Sequence, residues 1–490
     1  MPKQQLPLIA SHNYNSSLST ASREELVNIF IEQYPDNVSG RQGLMVKGTP
    51  GLNEWEVIDA AGVEIRGMLA HKNIGYTILD NDLWSTTSAQ VSTDRGDLAT
   101  STGRCSICAL NDEIIMCDGT DSYSYKVTAG TFATIGSGLA AIDTHHVVAH
   151  SEFVLFLVKN SNLVYVSDVA DGRTIGATSY FTVAPDFSNL VSAATTSGLV
   201  YIFSDGAAQI YYPSGQSTVP FDRLAGGFIQ IGCAAQHSPL VLNDTVYWLG
   251  KNSSGVIGVV RAKGTDYEII STPAFSSEIN TYDSVSDAFA WTDTHDGHIF
   301  YNLTFPSVDS ATYVNDLGIT WSYDTTNNTW FIRKSFDADI NLYTRHWASG
   351  SMNIGGTQVV GGYLDGRLLE ISMDYVDDDG EEIVRKLTTP HMLANGEFYS
   401  MYNMEVYVEP SKATASVTSP QLMLEISNDY GNTWSDIQTS TVSTTGNYPN
   451  PARFPSLGGG DVFTLRFTMS DPIEWAITNV MAYLEIPKVS

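Results

Sequence analysis

The chain has 490 residues and carries 25 basic against 54 acidic side chains, a formal charge of −29. Clustered Lys and Arg, the requirement for gripping phosphate backbones, are missing, so a cationic nucleic-acid groove is excluded as the main activity. Hydrophobic residues make up 43% and charged ones only 16%, which predicts a sizeable core under a surface of Ser, Thr, Asn, Gly and Tyr, the texture of an all-β protein rich in turns.

The opening "MPKQQLPLIASHN" has too short an apolar core for a secretory leader, and no run of about 18 apolar residues spans a membrane. Synthesis in the cytoplasm is the expectation. The strongest helical pattern is "SREELVNIFIEQYP", where Ser22 and Glu25 stand at capping-box spacing. Its β-branched and aromatic residues fit a strand about as well. Residues 1–50 lack the repeating grammar of the later chain and are expected to act as an N-terminal arm or strand.

From about residue 50 the chain becomes short apolar runs broken by Gly, Asp and Asn. Six units repeat one order of strand, turn, strand and polar-aromatic strand: 113–135, 153–175, 198–221, 245–270, 297–333 and 358–374. The stretch "EIRGMLAHKNIGYTILDNDLWST" reads as a further one. Starts about 40–60 residues apart are the period of propeller blades. Sheets this small bury both faces only by packing on neighbours, so 51–386 is predicted to be a β-propeller of about six blades. Within it Cys105, Cys108 and Cys117 flank a predicted hairpin. With Cys233 they read as buried structural thiols, since the C-x-x-C has no second ligand pair at zinc spacing. His145 and His146 adjoin on one strand, so they should face opposite ways and make poor joint ligands.

The linker after the last unit carries Asp377, Asp378, Asp379, Glu381 and Glu382. Three consecutive Asp cannot converge as a D-x-D-x-D-G calcium loop does, so a solvated hairpin tip is expected. Longer alternating strands then predict a C-terminal β-sandwich over 387–490.

That domain holds "SNDYGNTW", the Asp-box pattern: Ser427, Asp429, Gly431, Thr433 and Trp434. Asp boxes occur in glycosidase propellers, but this one has a complete structural reading. Asp429 accepts amides of its own turn, Gly431 takes a positive φ, and Thr433 and Trp434 begin the next strand. A sugar hydrolase needs paired carboxylates, or an arginine cluster with a Tyr nucleophile. Arg66, Arg104, Arg173 and Arg261 show no pattern that gathers them. A second stretch, Ser92, Asp94 and Gly96, is only a degenerate echo. No phosphate loop or nucleophile elbow is present. Catalytic, cofactor and metal residues are therefore predicted to be none.

Strings spread along the chain resemble the packaged-DNA stabilisation proteins of short-tailed phages, also called tail hub or nozzle proteins. They include "QQLPL", "VNIFIEQYPDNVSGRQGLMVKGTPGL", "NDEIIMCDGTDSYSYKVTAGTFATI", "TWSYDTTNNTWFIR" and "LEISNDYGNTWSD". The resemblance covers nearly the whole sequence in consistent order and supplies no catalytic residues. It implies a non-enzymatic virion protein forming a ring, a homohexamer, below the portal and adaptor proteins. Such a ring closes the DNA exit, retains packaged DNA, and bears tail fibre, tailspike or needle proteins. Double-stranded DNA would pass through without specific binding, which suits an acidic chain. The stretch 305–323 is longer than the corresponding link in that family. The alternative reading is a tail-associated glycan-binding propeller or glycosidase resting on the single Asp box.

Overall fold

Nearly every short apolar run becomes a strand of a small antiparallel sheet in the computed structural model, which describes residues 3–9, 13–16, 18–33, 43–59, 63–184, 189–216, 219–308, 317–338, 340–363, 365–393, 397–409, 417–442 and 451–485. The sheet of residues 106–134 shows the local logic. Its strands Ser106–Leu110, Glu113–Cys117, Ser122–Lys126 and Thr131–Thr134 pair in order. The first hairpin turns through Asn111 at φ 53°, a left-handed conformation that Asn tolerates better than most residues. In "EIIMC" successive side chains point to opposite faces. Ile114 and Met116 pack with Tyr76 and Tyr123 on one side, while Ile115 and Cys117 pack with Val147 and Phe156 on the other. The run is continuously apolar because neighbouring sheets cover both faces.

Seven such sheets succeed one another: 65–97, 106–134, 144–182, 190–229, 232–269, 289–337 and 348–372. The seventh takes its outermost strand, Gly51–Asp59, from before the first, with Ser372 opposite Gly51. Inner strands of consecutive sheets touch, and Ala348–Ile354 packs on Ile65–His71, so the succession closes on itself. This is one blade more than the about six expected, because the unit read at 64–86 is a blade of its own. In the 305–323 link, residues 309–316 lie outside the described residues. The helix among the described residues is Pro273–Ile279, started by Thr272, whose hydroxyl accepts the Phe275 amide, and by Pro273. None is long and apolar enough to cross a membrane.

The N-terminal residues, expected as an arm or strand, form strands that pair with the C-terminal ones. Lys3–Gln5 pairs with Ala476–Glu485, Ile29–Gln33 with Leu44–Gly48, and Leu44–Gly48 with Ala476–Glu485. Arg23–Val27 lies between Thr329–Asp337, the outer strand of the sixth blade, and Arg385–Thr388. The C-terminal strands therefore do not stand alone over 387–490. They share two sheets with residues 3–48, and one of those sheets runs unbroken into the sixth blade. The physical reason is burial. Leu6, Leu8, Leu26, Ile29, Phe30, Ile31 and Val46 fill the same core as Leu424, Phe454, Phe467, Trp475 and Val480.

Asn28 sits at the junction and breaks the 22–35 pattern into two strands. Its φ is 54°. Its side chain donates to the Lys334 and Val384 carbonyls at 2.8 and 3.0 Å and accepts the Lys334 amide at 2.9 Å. Three backbone groups from two separate segments thus find partners in one short amide.

Candidate functional site

Strand alternation and register together build a polar groove on the sheet that joins the two units. Leu26, Leu387, Phe467 and Leu424 stand opposite one another across four strands and face the core. One residue along, the side chains point the other way, and Glu25, Thr388, Arg466 and Glu425 form a row. With Arg23, Lys334 and Lys386 this row lines a groove of about 570 Å³, edged by Trp434 and Tyr343.

Four cations stand there against two carboxylates, the reverse of the chain's overall balance. Lys386 Nζ lies 2.9 Å from Glu25, and Arg466 Nη1 lies 3.4 Å from Glu425. The Arg466 guanidinium also stacks on Trp434, 3.6 Å from the ring centre. Burial acts to raise the Glu25 carboxyl, but Lys386, Lys334 and Arg466 hold it below the usual range.

The Asp-box turn forms one wall. Asp429 Oδ1 accepts the amides of Asn432 and Thr433 at 3.1 and 2.8 Å, and Oδ2 accepts the Thr433 hydroxyl at 2.7 Å. Ser427 Oγ accepts the Gly431 amide at 2.8 Å and donates to Asp429 Oδ1 at 2.7 Å. Bonds from the Thr433 hydroxyl and amide and from Ser427 hold the Asp429 carboxyl at about 2. Tyr430 and Gly431 both take left-handed φ, 61° and 78°. Thr433 and Trp434 do not begin the next strand, which starts only at Gln438. They close the turn, and Trp434 turns its ring to Arg466. Asp429→Ala is accordingly expected to speed hydrogen exchange of the Asn432 and Thr433 amides by about tenfold or more while the global unfolding midpoint moves little. Unchanged exchange at both amides contradicts this role. The Ser92–Asp97 echo is the outer strand of the first blade, where Asp94 accepts the Gly96 amide at 2.9 Å.

The other singled-out residues stay apart. Arg66 donates to the carbonyls of Gly103, Asp80 and Thr100, each at 2.6 Å. Arg104 lies over Phe289 at 3.7 Å, Arg173 Nε donates to Ser124 Oγ at 3.0 Å, and Arg261 pairs with Glu268 at 3.0 Å. Each serves a different blade or link. Cys105 and Cys108, three apart, face different inter-blade cores. Burial pushes their thiols up to about 11 and about 12, Cys233 to about 11, and Cys117 well above its ordinary value. Such thiols are poor nucleophiles.

The histidine pair and the acidic linker differ from their sequence expectations. His145 and His146 do not face opposite ways, because the register slips between Thr144 and His146. Such a bulge re-aims a side chain, and both rings reach the next blade, at Val191 O and Ala193 O. Burial, with His145 beside it, lowers His146 to about 4. The acidic linker is not a solvated tip. Asp378 is buried, accepts from Ser335 at 2.9 Å, and is pushed up to about 7 by burial. Asp379 pairs with Arg367, and Asp377 accepts the Gly380 amide at 3.1 Å. The three carboxylates diverge, and no group of three or more potential metal ligands converges among the described residues.

Sequence reasoning passed over Arg23, Lys386, Thr388 and Arg466. Their only local signal is charge alternating with apolar residues in "REELV", "RKLT" and "LRFTM". Which strands lie side by side is not readable locally.

Residues 4–375 match the family model Phage_stabilise, described as "Bacteriophage P22 Gp10, beta-propeller". No curated protein matches the chain. Among solved structures the chain is similar to the N-terminal domain of Nup159, at 9% identity over 69% of this chain and 98% of that one, with a TM-score of 0.41. It is also similar to BamB from Moraxella catarrhalis, at 10% identity over 76% and 98%, with a TM-score of 0.38.

Proposed function

The chain belongs to the phage packaged-DNA stabilisation family whose β-propeller model it matches over residues 4–375, and from that membership we propose that it is a structural subunit of the phage tail. In this reading copies form a closed ring, a homohexamer, below the portal and adaptor proteins. The ring closes the DNA exit, retains the packaged DNA until ejection, and carries fibre, tailspike or needle proteins. The chain performs no catalysis.

The observation that carries this reading is the family match over three quarters of the sequence. Three features of the molecule support it. The two mixed sheets, read as a β-sandwich, are tied to the sixth blade through Arg23–Val27, so a load on one unit passes to the other. On the same sandwich Leu393, Phe398 and Tyr402 are all exposed, at 58%, 52% and 45%. Apolar and aromatic side chains of this kind are the anchors that subunit contacts need. The charge of −29 suits a passage that DNA slides through without sticking.

Complementation tests the role. Filled particles lacking this protein should leak DNA to nuclease and hold it once the purified chain is added. Equal leakage with and without the chain contradicts the proposal.

A further inference from the structure

We infer that the linker segment 375–381 is a proton-operated latch between the ring of blades and the two mixed sheets, closed while the Asp378 carboxyl carries a proton and loosened when it ionises. This goes beyond the tail role and does not depend on it.

The latch lies where three parts of the chain meet. Its backbone is strapped along the start of Gly51–Asp59, the strand that closes the seventh blade. The Leu52 amide donates to Asp377 O at 3.0 Å, the Asp379 amide to Leu52 O at 2.8 Å, and the Gly51 amide to Tyr375 O at 3.2 Å. Gly51 permits this approach, because a Cβ there would run into the carbonyl oxygens of Asp377 and Tyr375. Leu52 itself is fully buried in the core of that blade. From the strap the Asp378 side chain reaches the sixth blade, where Ser335 Oγ donates to Oδ2 at 2.9 Å. Arg385, at the head of the strand Arg385–Thr388 in the mixed sheets, supplies the strongest positive charge acting on it.

The neutral carboxyl suits this place and the carboxylate does not. Asp378 is 2% exposed, and its Oδ1 is shut away from water without a hydrogen-bond partner among the described residues. Arg333 is held by Asp293 at 2.9 Å. Arg385, also 2% exposed, donates from Nη2 to Val376 O at 3.1 Å, and its Nε and Nη1 make no hydrogen bond to Asp378. Asp377, next along the chain, adds a like charge. A buried carboxylate held by one hydroxyl, with no cation bonded to it, is costly. Ionisation therefore favours any arrangement that brings the group to water, and lifting the strap off Leu52 and Ser335 provides it.

Burial, aided by Asp377, holds the folded carboxyl up at about 7 against Ser335, Arg385 and Arg333, whereas an open strap returns it to about 3.9. A group with a raised folded value adds stability at low pH that is lost as the pH rises. The strap should open more as the pH climbs from about 4 to about 7, by up to about tenfold for each pH unit, and level off above.

Hydrogen exchange of the full-length chain, read by mass spectrometry and corrected for the pH dependence of unprotected amides, tests the latch. Between about pH 5 and about pH 7, protection of peptides covering 49–56 and 375–381 should fall by about tenfold or more, while peptides from 113–126 in the second blade keep theirs. Asp378→Asn, neutral at every pH, should keep equal protection at both. Ser335→Ala removes the hydroxyl that favours the ionised form, so its decline should continue above pH 7, where the wild type levels off. Level protection in the wild type, or an equal decline in Asp378→Asn, overturns the latch. Protection that rises with pH shows the carboxylate gaining Arg385 as a partner and overturns it as well. A decline shared by the second-blade peptides is unfolding of the whole chain and also overturns it. Where Asp378→Asn does not fold, Ser335→Ala decides: a decline that levels off where the wild type does overturns the assignment to Asp378.

Discussion

Deleting residues 1–33 is expected to prevent the two mixed sheets from folding. The deletion removes eight buried apolar side chains: Leu6, Leu8, Ile9, Leu26, Val27, Ile29, Phe30 and Ile31. At roughly 1.5–3 kcal/mol for each buried side chain, the loss exceeds about 10 kcal/mol. That is comparable with the whole stability of a typical domain, about 5–15 kcal/mol. It also removes Arg23–Val27 from between Thr329–Asp337 and Arg385–Thr388, exposing two strand edges that invite aggregation. Limited proteolysis reads the outcome: cleavage should spread through 385–485 while the ring of blades persists. A truncated chain with wild-type protease resistance contradicts the integration of these strands.

Arg333→Leu is expected to cost about 3–5 kcal/mol, because it leaves a buried carboxylate without its cation. Arg333 is fully buried, 2.9 Å from Asp293, with Trp291, Phe300 and Phe331 around its guanidinium. Asn302 also donates to Asp293, at 2.6 Å. Burial alone raises the Asp293 carboxyl, but Arg333, His295 and Asn302 hold it below the ordinary carboxylate range. A carboxyl with a depressed folded value adds stability above its unfolded value of about 3.9 and loses it as the pH falls further. The wild type should therefore show a steep loss of stability on acidification below about pH 4, and Arg333→Leu a shallower one. Adding Asp293→Asn should recover part of the loss near neutral pH. Urea unfolding of the three variants measures both effects. A loss under about 1 kcal/mol in Arg333→Leu refutes the buried-pair account.

The blades were legible because their hairpins are punctuated locally. Asn111, Asp80, Asn243 and Asp244 all take left-handed φ at turns, and those residue types announce it. The units read at 113, 153, 198 and 245 each begin at a blade's second or later strand rather than its first. The first strands, such as "SICAL", "THHVVAH" and "LVSAAT", mix small, polar and apolar residues and show no clean alternation, so each unit was read as starting late. The Thr-Pro start of the helix at 272–279 was visible in principle. The fate of residues 3–48 was not. Their partners lie up to about 480 residues away, as Lys3 opposite Tyr483 shows, and nothing local encodes such pairings. The groove was hidden for the same reason. Glu25 meets Lys386, and Arg466 meets Glu425, only once distant strands adopt their register. The Asp-box turn was legible because the bonds of the Asp429 carboxylate and the Ser427 hydroxyl close within the turn itself.

The proposed tail role requires copies of this chain to assemble into a closed ring. A rotationally symmetric portal is met by heterologous contacts, each subunit offering one surface to a different surface of its neighbour. Electron microscopy of the purified full-length protein, alone and mixed with its portal and adaptor, tests this most directly. Rings of six subunits with an open central passage are expected, at least in the presence of the connector. Single isolated particles of one chain's size under both conditions would contradict it.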